Sequence, residues 1–227
     1  GWAGIVIPEA YGGSGLGYTE LGLVLEACGR TLAVTPLMSS GVLGSGLVLA
    51  GGSEALKREI LPAISAGRAL VAVAFEEAPR FKPYHVACKA ERHGAGYRLT
   101  GKKTFVLDGH VASWLIVSAR TSGAIGDRHG ISLFVIDPQQ PGVKIERASM
   151  LDSRNAARCT FEAVEVSEAA LLGSVDQGAS LLDPMLDRAA VCVSAEILGL
   201  ITQAYETTLE YLKTRVSNPL LRRRRRG

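Results

Sequence analysis

The side chains best suited to metal or redox chemistry are four cysteines, Cys28, Cys88, Cys159 and Cys192, and four histidines, His85, His93, His110 and His129. Thiolates bind soft metals or pair as disulfides, and imidazoles bind metals or carry protons. No two cysteines form a C-x-x-C pair, and no histidine stands at a metal-ligand spacing from another. We therefore expect small reduced cysteines in the core or at the surface, solvated histidines in turns and at strand edges, and no metal site. A structural disulfide or metal centre is the competing reading. No G-x-G-x-x-G follows a strand-like run, so the phosphate-cradling turn of a dinucleotide sheet is absent. Glu196 and Glu206 carry the right group for a general base, but nothing in their spacing nominates either.

Charge excludes further classes. The formal charge of +3 includes five consecutive arginines, Arg222 to Arg226, and without those five it is −2. The body of the chain is nearly neutral, and the basic run has no interleaved aromatics, which argues against a nucleic-acid partner. The run follows an abrupt change in sequence character, as a frameshift, a fragment boundary or another sequence edge would produce. No apolar run reaches the ~18 residues of a membrane span, and the first residues lack the basic-then-apolar signal-peptide pattern, so we expect a cytoplasmic protein without a membrane partner. At 227 residues and 47% hydrophobic, the chain has ample material for a core.

Hydrophobic periodicity supplies the elements. Leu21, Val24, Leu25 and Cys28 recur at helical spacing after Thr19, and Pro36 to Ala50 is apolar nearly all round, as a buried helix is. Ser53 offers a cap for a helix over Glu54 to Leu61, Pro62 should end it, and Gly67 closes the segment. From Ala69 the period becomes that of strands. We expect Ala69–Phe75, Val86–Glu91, Tyr97–Thr100, Thr104–Leu107, Trp114–Ala119, Ile131–Ile136 and Cys159–Val166, divided by glycine and proline turns, in an antiparallel barrel or sandwich. A long helix begins after Gly178, with Asp183 as its cap and Pro184 at its first position; it runs to about Arg215, roughly 45 Å at 1.5 Å per residue. Its broad apolar stripe needs cover, from the N-terminal helices, from further bundle helices or from a second chain.

Several of these segments resemble the acyl-CoA dehydrogenase family. GWAGIVIPEAYGG at the start is similar to the family's GW-x-G-(I/L)-x-x-P-E-x-(Y/F)-GG. GSEALKREILPAISAG resembles its lysine-bearing helix leading into L-P, and GYRLTGKKTFVLDG resembles G-x-(Y/W)-x-(L/I)-x-G-x-K-x-(W/F)-(I/V)-(T/S)-(N/G). YETTLEYLKTR is similar to the helix that runs into R-x-Q-F-G-x-P-I. Within the family the likeness points to the small-subunit branch around pimeloyl-CoA dehydrogenase. It implies an α+β multidomain fold: an N-terminal helical domain (1–68), a β-barrel middle domain (69–178), the first helix of a C-terminal bundle (179–215) and a divergent tail (216–227).

The resemblance also implies FAD, an acyl-CoA substrate, an electron-transfer acceptor and a homo- or hetero-oligomer. In the family a T-E-P-x-x-G-S-D loop meets the flavin and CoA. Here the stretch is Ala74-Phe75-Glu76-Glu77-Ala78-Pro79-Arg80-Phe81, so the Thr and the Gly-Ser-Asp are missing. Phe75 and Glu76 would bind flavin through backbone groups, against the alternative of a solvated loop. Phe105 stands where the family has an aromatic beside the flavin, against an ordinary core aromatic. Val106 and Leu107 would contribute backbone only, because Leu107 replaces a hydroxyl donor. Arg188 matches an arginine near the thioester end of the site, against one that is solvated or paired with Asp183 or Asp187. Arg215 matches the R of R-x-Q-F-G, which contacts the FAD pyrophosphate, though Val216-Ser217-Asn218-Pro219 stands in place of x-Q-F-G.

The family's catalytic glutamate falls in bundle sequence this chain does not include, so no residue here is assigned to catalysis. The function implied is FAD-dependent α,β-dehydrogenation of an acyl-CoA thioester, inactive in this chain alone. The alternatives are a non-catalytic partner subunit of a heteromeric acyl-CoA dehydrogenase and a flavin monooxygenase of the same fold.

Overall fold

The computed structural model describes residues 1–152 and 154–215. The Arg-rich run and Val216-Ser217-Asn218-Pro219 lie outside the described residues.

The N-terminal helices form where the apolar period predicts them. Helix α1 (Tyr18–Thr31) buries Leu21, Leu25 and Cys28, and Glu20 Oε2 closes its start by accepting the Gly17 N–H at 2.8 Å. The apolar stretch after Pro36 forms two pieces, a wide π-helical segment over Leu37–Gly44 and then α2 (Ser45–Gly51). Every residue from Leu37 to Val48 is buried, so no solvated face is needed. Helix α3 (Glu54–Ser65) begins at Ser53, whose Oγ accepts the Leu56 N–H at 3.3 Å. The expected stop at Pro62 is corrected: Pro62 lies inside the helix, which runs on to Ser65. Burial of Ile64 at 0% exposure outweighs the hydrogen bond that proline forfeits, and Gly67, with φ +67°, supplies the exit.

Eight strands come next: β1 (Val71–Ala74), β2 (Lys89–His93), β3 (Gly96–Leu107), β4 (Trp114–Arg120), β5 (Ile131–Ile136), β6 (Val143–Ser149), β7 (Asn155–Ser167) and β8 (Leu171–Leu172). They pair in the order β6-β7-β3-β2-β4-β5-β8, with β1 beside β4. The closed antiparallel barrel is corrected to an open mixed sheet: among the described residues no pairing joins β6 to β8, and β4 pairs in parallel with both β1 and β2. The two expected strands Tyr97–Thr100 and Thr104–Leu107 are one bent strand, with register shifts against β7 between Leu99 and Gly101 and between Lys103 and Val106.

Period-two alternation splits the central strands between two cores. Ala72, Leu115, Val117 and Phe134 meet Leu99 and Phe161 on one side of the sheet. Val71, Val73, Ile116 and Leu133 face the helices and pack with Leu47, Ile60, Leu61 and Leu182 on the other. A third cluster, including Leu21, Leu25, Met38, Val42 and Cys192, joins α1 and the π-helical segment to the last helix. The four cysteines are buried, free thiols.

That last helix, α4 (Gly178–Thr214), starts at Gly178 rather than at Asp183, and Pro184 lies within it instead of at its first position. The extra turn buries Ala179 and Leu182 beneath the sheet, and Asp183 accepts hydrogen bonds from Tyr84 and Arg128 instead of capping. Helix α4 crosses α1 at backbone contact: a Cβ on Gly29 would stand 1.9 Å from the Glu196 carbonyl, and one on Gly199 1.9 Å from the Glu26 carbonyl. Near and beyond this crossing Ile197, Leu200, Ile201, Tyr205 and Leu212 are exposed, the apolar surface the sequence leads one to expect. No helix among the described residues is long and apolar enough to cross a membrane.

Candidate functional site

Three segments wall a cleft of about 380 Å³. The end of β1 and the loop after it supply Val73, Phe75, Glu76 and Phe81; the π-helical segment supplies Ser39 and Leu43; the bent end of β3 supplies Thr104, Phe105 and Leu107. The volume falls within the range of small-molecule and cofactor sites, and the lining is predominantly apolar, as such sites are.

Local backbone chemistry holds these walls. The Thr104 N–H donates to the Glu76 carbonyl at 2.8 Å, tying the loop after β1 to β3. The shift in register places Phe105 at φ +54°, a left-handed conformation costly for a residue with Cβ, and leaves it 52% exposed beside the cleft. Phe75 and Phe81 meet edge to face, with ring centroids 6.4 Å apart. The Ser39 hydroxyl donates to Asp108, just past the strand end.

Two adjacent glutamates divide the labour. Glu77 turns inward: its Oε1 lies 2.6 Å from Lys103 Nζ and accepts the Cys88 N–H at 3.1 Å, while its Oε2 accepts the Ala87 N–H at 2.7 Å. Lys103 also donates to Ser118 Oγ at 2.8 Å, so its buried ammonium joins β3, β4 and the loop. Glu76 lines the cleft. Its Oε2 accepts the Lys82 N–H at 3.3 Å, whereas its Oε1 is buried with no partner among the described residues. Burial pushes the Glu76 carboxyl above its ordinary value, against the opposing pull of the Lys82 N–H and the Lys103 charge.

Of the residues singled out in the sequence, the structure brings Phe75, Glu76, Phe105 and Leu107 to one cleft. Val106 points into the opposite core, 1% exposed. Arg188 is exposed and stacks over the Tyr18 ring at 5.2 Å, while Asp183 is engaged by Arg128. Arg215, at the end of α4, lies over the Tyr211 ring at 5.8 Å; neither arginine lines the cleft. Sequence reasoning passes over Ser39 and Leu43, and it gives no individual role to Glu77, Phe81 or Lys103. The lysine at the K of G-x-K is the available signal. Among the described residues no cluster of histidine, cysteine and carboxylate has the makings of a metal site.

Comparison with known proteins decides the family. Residues 1–68 match the model of the acyl-CoA dehydrogenase N-terminal domain, and residues 76–164 match that of the acyl-CoA dehydrogenase middle domain. The chain belongs to the acyl-CoA dehydrogenase family. It is 32% identical over 223 residues to the mitochondrial isovaleryl-CoA dehydrogenase of Pongo abelii, covering 95% of this chain and 52% of that protein. The structure of a glutaryl-coenzyme A dehydrogenase in complex with glutaryl-CoA superposes with a TM-score of 0.89 at 28% identity, covering 96% of this chain and 57% of the other. The ChsE4-ChsE5 complex from Mycobacterium tuberculosis superposes with a TM-score of 0.83 at 26% identity, covering 96% and 56%. This acyl-CoA dehydrogenase chain thus spans about half the length of the curated relatives it matches. The crystal structure of an FAD-dependent dehydrogenase superposes with a TM-score of 0.86 at 25% identity, covering 96% of this chain and 61% of the other. The cleft suits a flat heteroaromatic ring on two counts: apolar walls and an exposed phenylalanine at its rim.

Proposed function

We propose that this chain supplies the flavin-holding walls of an FAD-dependent acyl-CoA dehydrogenase and does not turn over acyl-CoA alone. Bound FAD would supply the hydride acceptor for α,β-dehydrogenation of the thioester, passing electrons on to a separate acceptor. Phe75, Glu76, Phe105 and Leu107 would contact it, with Val106 contributing backbone from the same strand. The observation that carries this reading is the convergence of the loop after β1 and the bent end of β3 on one apolar cleft. Both are segments through which the family resemblance implies flavin contact.

Removing the proton beside a thioester carbonyl requires a positioned base and hydrogen bonds to the carbonyl in a site closed to water. Among the described residues the cleft's lining includes one carboxylate, Glu76, whose Oε2 is engaged by the Lys82 N–H, and this supports the proposed inactivity. Arg188 and Arg215, both away from the cleft, would act where further helices or a second subunit complete the site.

A second reading, a non-catalytic subunit of a heteromeric acyl-CoA dehydrogenase, draws on the exposed apolar stretch of α4 and on Leu107, which offers no hydroxyl to the flavin. The test is the visible spectrum of the purified chain after addition of excess FAD and desalting, followed by anaerobic addition of acyl-CoA esters. Retained flavin that acyl-CoA does not bleach is the expected result. Bleaching would overturn the inactivity, and absence of bound flavin would overturn the flavin-holding role. A retained flavin that bleaches only once a fuller homologue is co-expressed would favour the heteromeric reading.

A further inference from the structure

One wall of the cleft is a strap. Ala78, Pro79, Arg80 and Phe81, from the connection between β1 and β2, line the cleft, and from Pro79 to Lys82 the chain is exposed. Between Ala78 and Phe81 no backbone group makes a hydrogen bond among the described residues, so the strap is held at its ends. The near end is fixed by the Thr104 N–H on the Glu76 carbonyl and by the buried pair of Glu77 and Lys103. The far end is Tyr84. Its hydroxyl donates to Asp183 near the start of α4, its ring lies beneath the Arg128 guanidinium at 4.3 Å, and its carbonyl accepts Arg120 Nη2 at 3.2 Å. Asp183 divides its oxygens: Oδ1 takes Tyr84, and Oδ2 takes Arg128 from the connection between β4 and β5. One carboxylate thus fastens two loops to one helix. It lines no part of the cleft and does not cap α4, so neither role accounts for it.

We propose that Asp183 is a latch: by holding Tyr84 and Arg128 it keeps the strap closed against the cleft, and its release lets residues 78–83 swing outward and open that wall. The inference concerns the movement of the wall and does not depend on the flavin-holding role. Local opening begins where contacts are few and open to water. The near end rests on a lysine and a glutamate whose side chains are 0% and 9% exposed, whereas Asp183 and Arg128 are 32% and 57% exposed. The far end therefore yields first. Arg120, 8% exposed, also holds the Val86, Asp127 and His129 carbonyls, which fixes the backbone where the strap ends and leaves the Tyr84 side chain to Asp183. Because the latch sits on α4, the wall is anchored to the helix as well as to the sheet.

The experiment is brief trypsin digestion of the full chain without ligand, following the cut after Arg80 in wild type, Asp183→Ala, Asp183→Asn and Tyr84→Phe. A protease needs the segment around its bond freed from the body of the protein, so the rate reports the population of the open strap when reclosing is fast. Loss of two partly exposed hydrogen bonds to a charged group predicts a cut about three- to tenfold faster in Asp183→Ala. Smaller increases should follow in Asp183→Asn, which keeps an acceptor for Tyr84, and in Tyr84→Phe, which keeps the ring beneath Arg128. The cut after Lys144, exposed on the outer strand β6, is the control and should keep its rate. Equal rates after Arg80 in wild type and variants overturn the latch, and so does acceleration at both sites alike, which would mean a general weakening of the fold. If Asp183→Ala does not fold, as melting curves show, the Asn and Phe variants carry the same comparison. Excess FAD should slow the cut after Arg80 in all the proteins; a latch seen without ligand but indifferent to FAD would count against the flavin-holding role alone.

Discussion

Lys103 Nζ lies 2.6 Å from Glu77 Oε1 inside the protein, with the two side chains 0% and 9% exposed. The pair sits directly behind the cleft: Glu77 follows Glu76 in one wall, and Lys103 precedes Thr104 and Phe105 in the other. The ion pair therefore ties one wall of the cleft to the other. The bond from the Thr104 N–H to the Glu76 carbonyl acts beside it.

Removing one member of such a pair leaves the other charged and buried. Lys103→Met should destabilise the protein by about 3–5 kcal/mol. Glu77→Gln should fall in the same direction by less, since an amide oxygen can still accept from the Ala87 N–H. Urea denaturation checks both. A Lys103→Met variant within about 1 kcal/mol of wild type would show that the pair does not brace the walls.

Phe105 separates stability from binding. Its left-handed backbone favours glycine, and the residue is 52% exposed, so little packing is lost on truncation. Phe105→Gly should raise stability by about 0.5–1 kcal/mol while weakening flavin binding, because the aromatic wall of the cleft is gone. Paired melting and flavin titration read the two effects. A variant less stable than wild type would mean that the ring packs more than its exposure indicates.

Much of this arrangement is legible in the sequence, and the failures have separate physical causes. The period of Leu21, Leu25 and Cys28 gives α1, and the motif around Phe105 gives the rim of the cleft. The two misplaced helix boundaries both involve prolines, Pro62 and Pro184, where burial of Ile64 and of Leu182 overrides a local stop or start signal. Strand β6 escapes notice because Val143 and Ile145 are only partly buried and alternate with charged residues on an outer strand. The burial of Lys103 is equally hidden, since lysine is ordinarily solvated and its partner lies 26 residues away. The orphan oxygen of Glu76 is a property of assembled neighbours and has no signature in sequence.

Glu76 also makes a prediction about pH. Burial raises its carboxyl above the ordinary 4.5, ahead of the opposing influences of the Lys82 N–H and Lys103 and the reinforcing one of Glu77. The folded protein then keeps this proton to a higher pH than the unfolded chain, so the Glu76 contribution to stability falls as pH rises from about 4.5 through the raised value. Glu76→Gln removes that dependence. In flavin-free protein the variant should gain on wild type as pH rises through this window, then hold a constant advantage. Denaturation midpoints measured across the window check it, and parallel curves for the two proteins would show that Glu76 titrates alike in both states.

The crossing of α1 and α4 allows one substitution to be read with two signs. Alanine in place of glycine within a helix ordinarily gains about 0.5–1 kcal/mol. At Gly22 of α1 the nearest atom to a new Cβ is the Ala195 Cβ at 3.7 Å, an ordinary contact, so Gly22→Ala should show that gain. At Gly29, further along the same helix, the new Cβ would stand 1.9 Å from the Glu196 carbonyl oxygen, and backbone cannot rotate away as a side chain can. Gly29→Ala must push α4 off α1, and overpacking of this kind costs about 1–3 kcal/mol. Limited proteolysis should then cut α4 faster in Gly29→Ala and no faster in Gly22→Ala, and equal protection in the two variants would mean that the helices do not touch at their backbones.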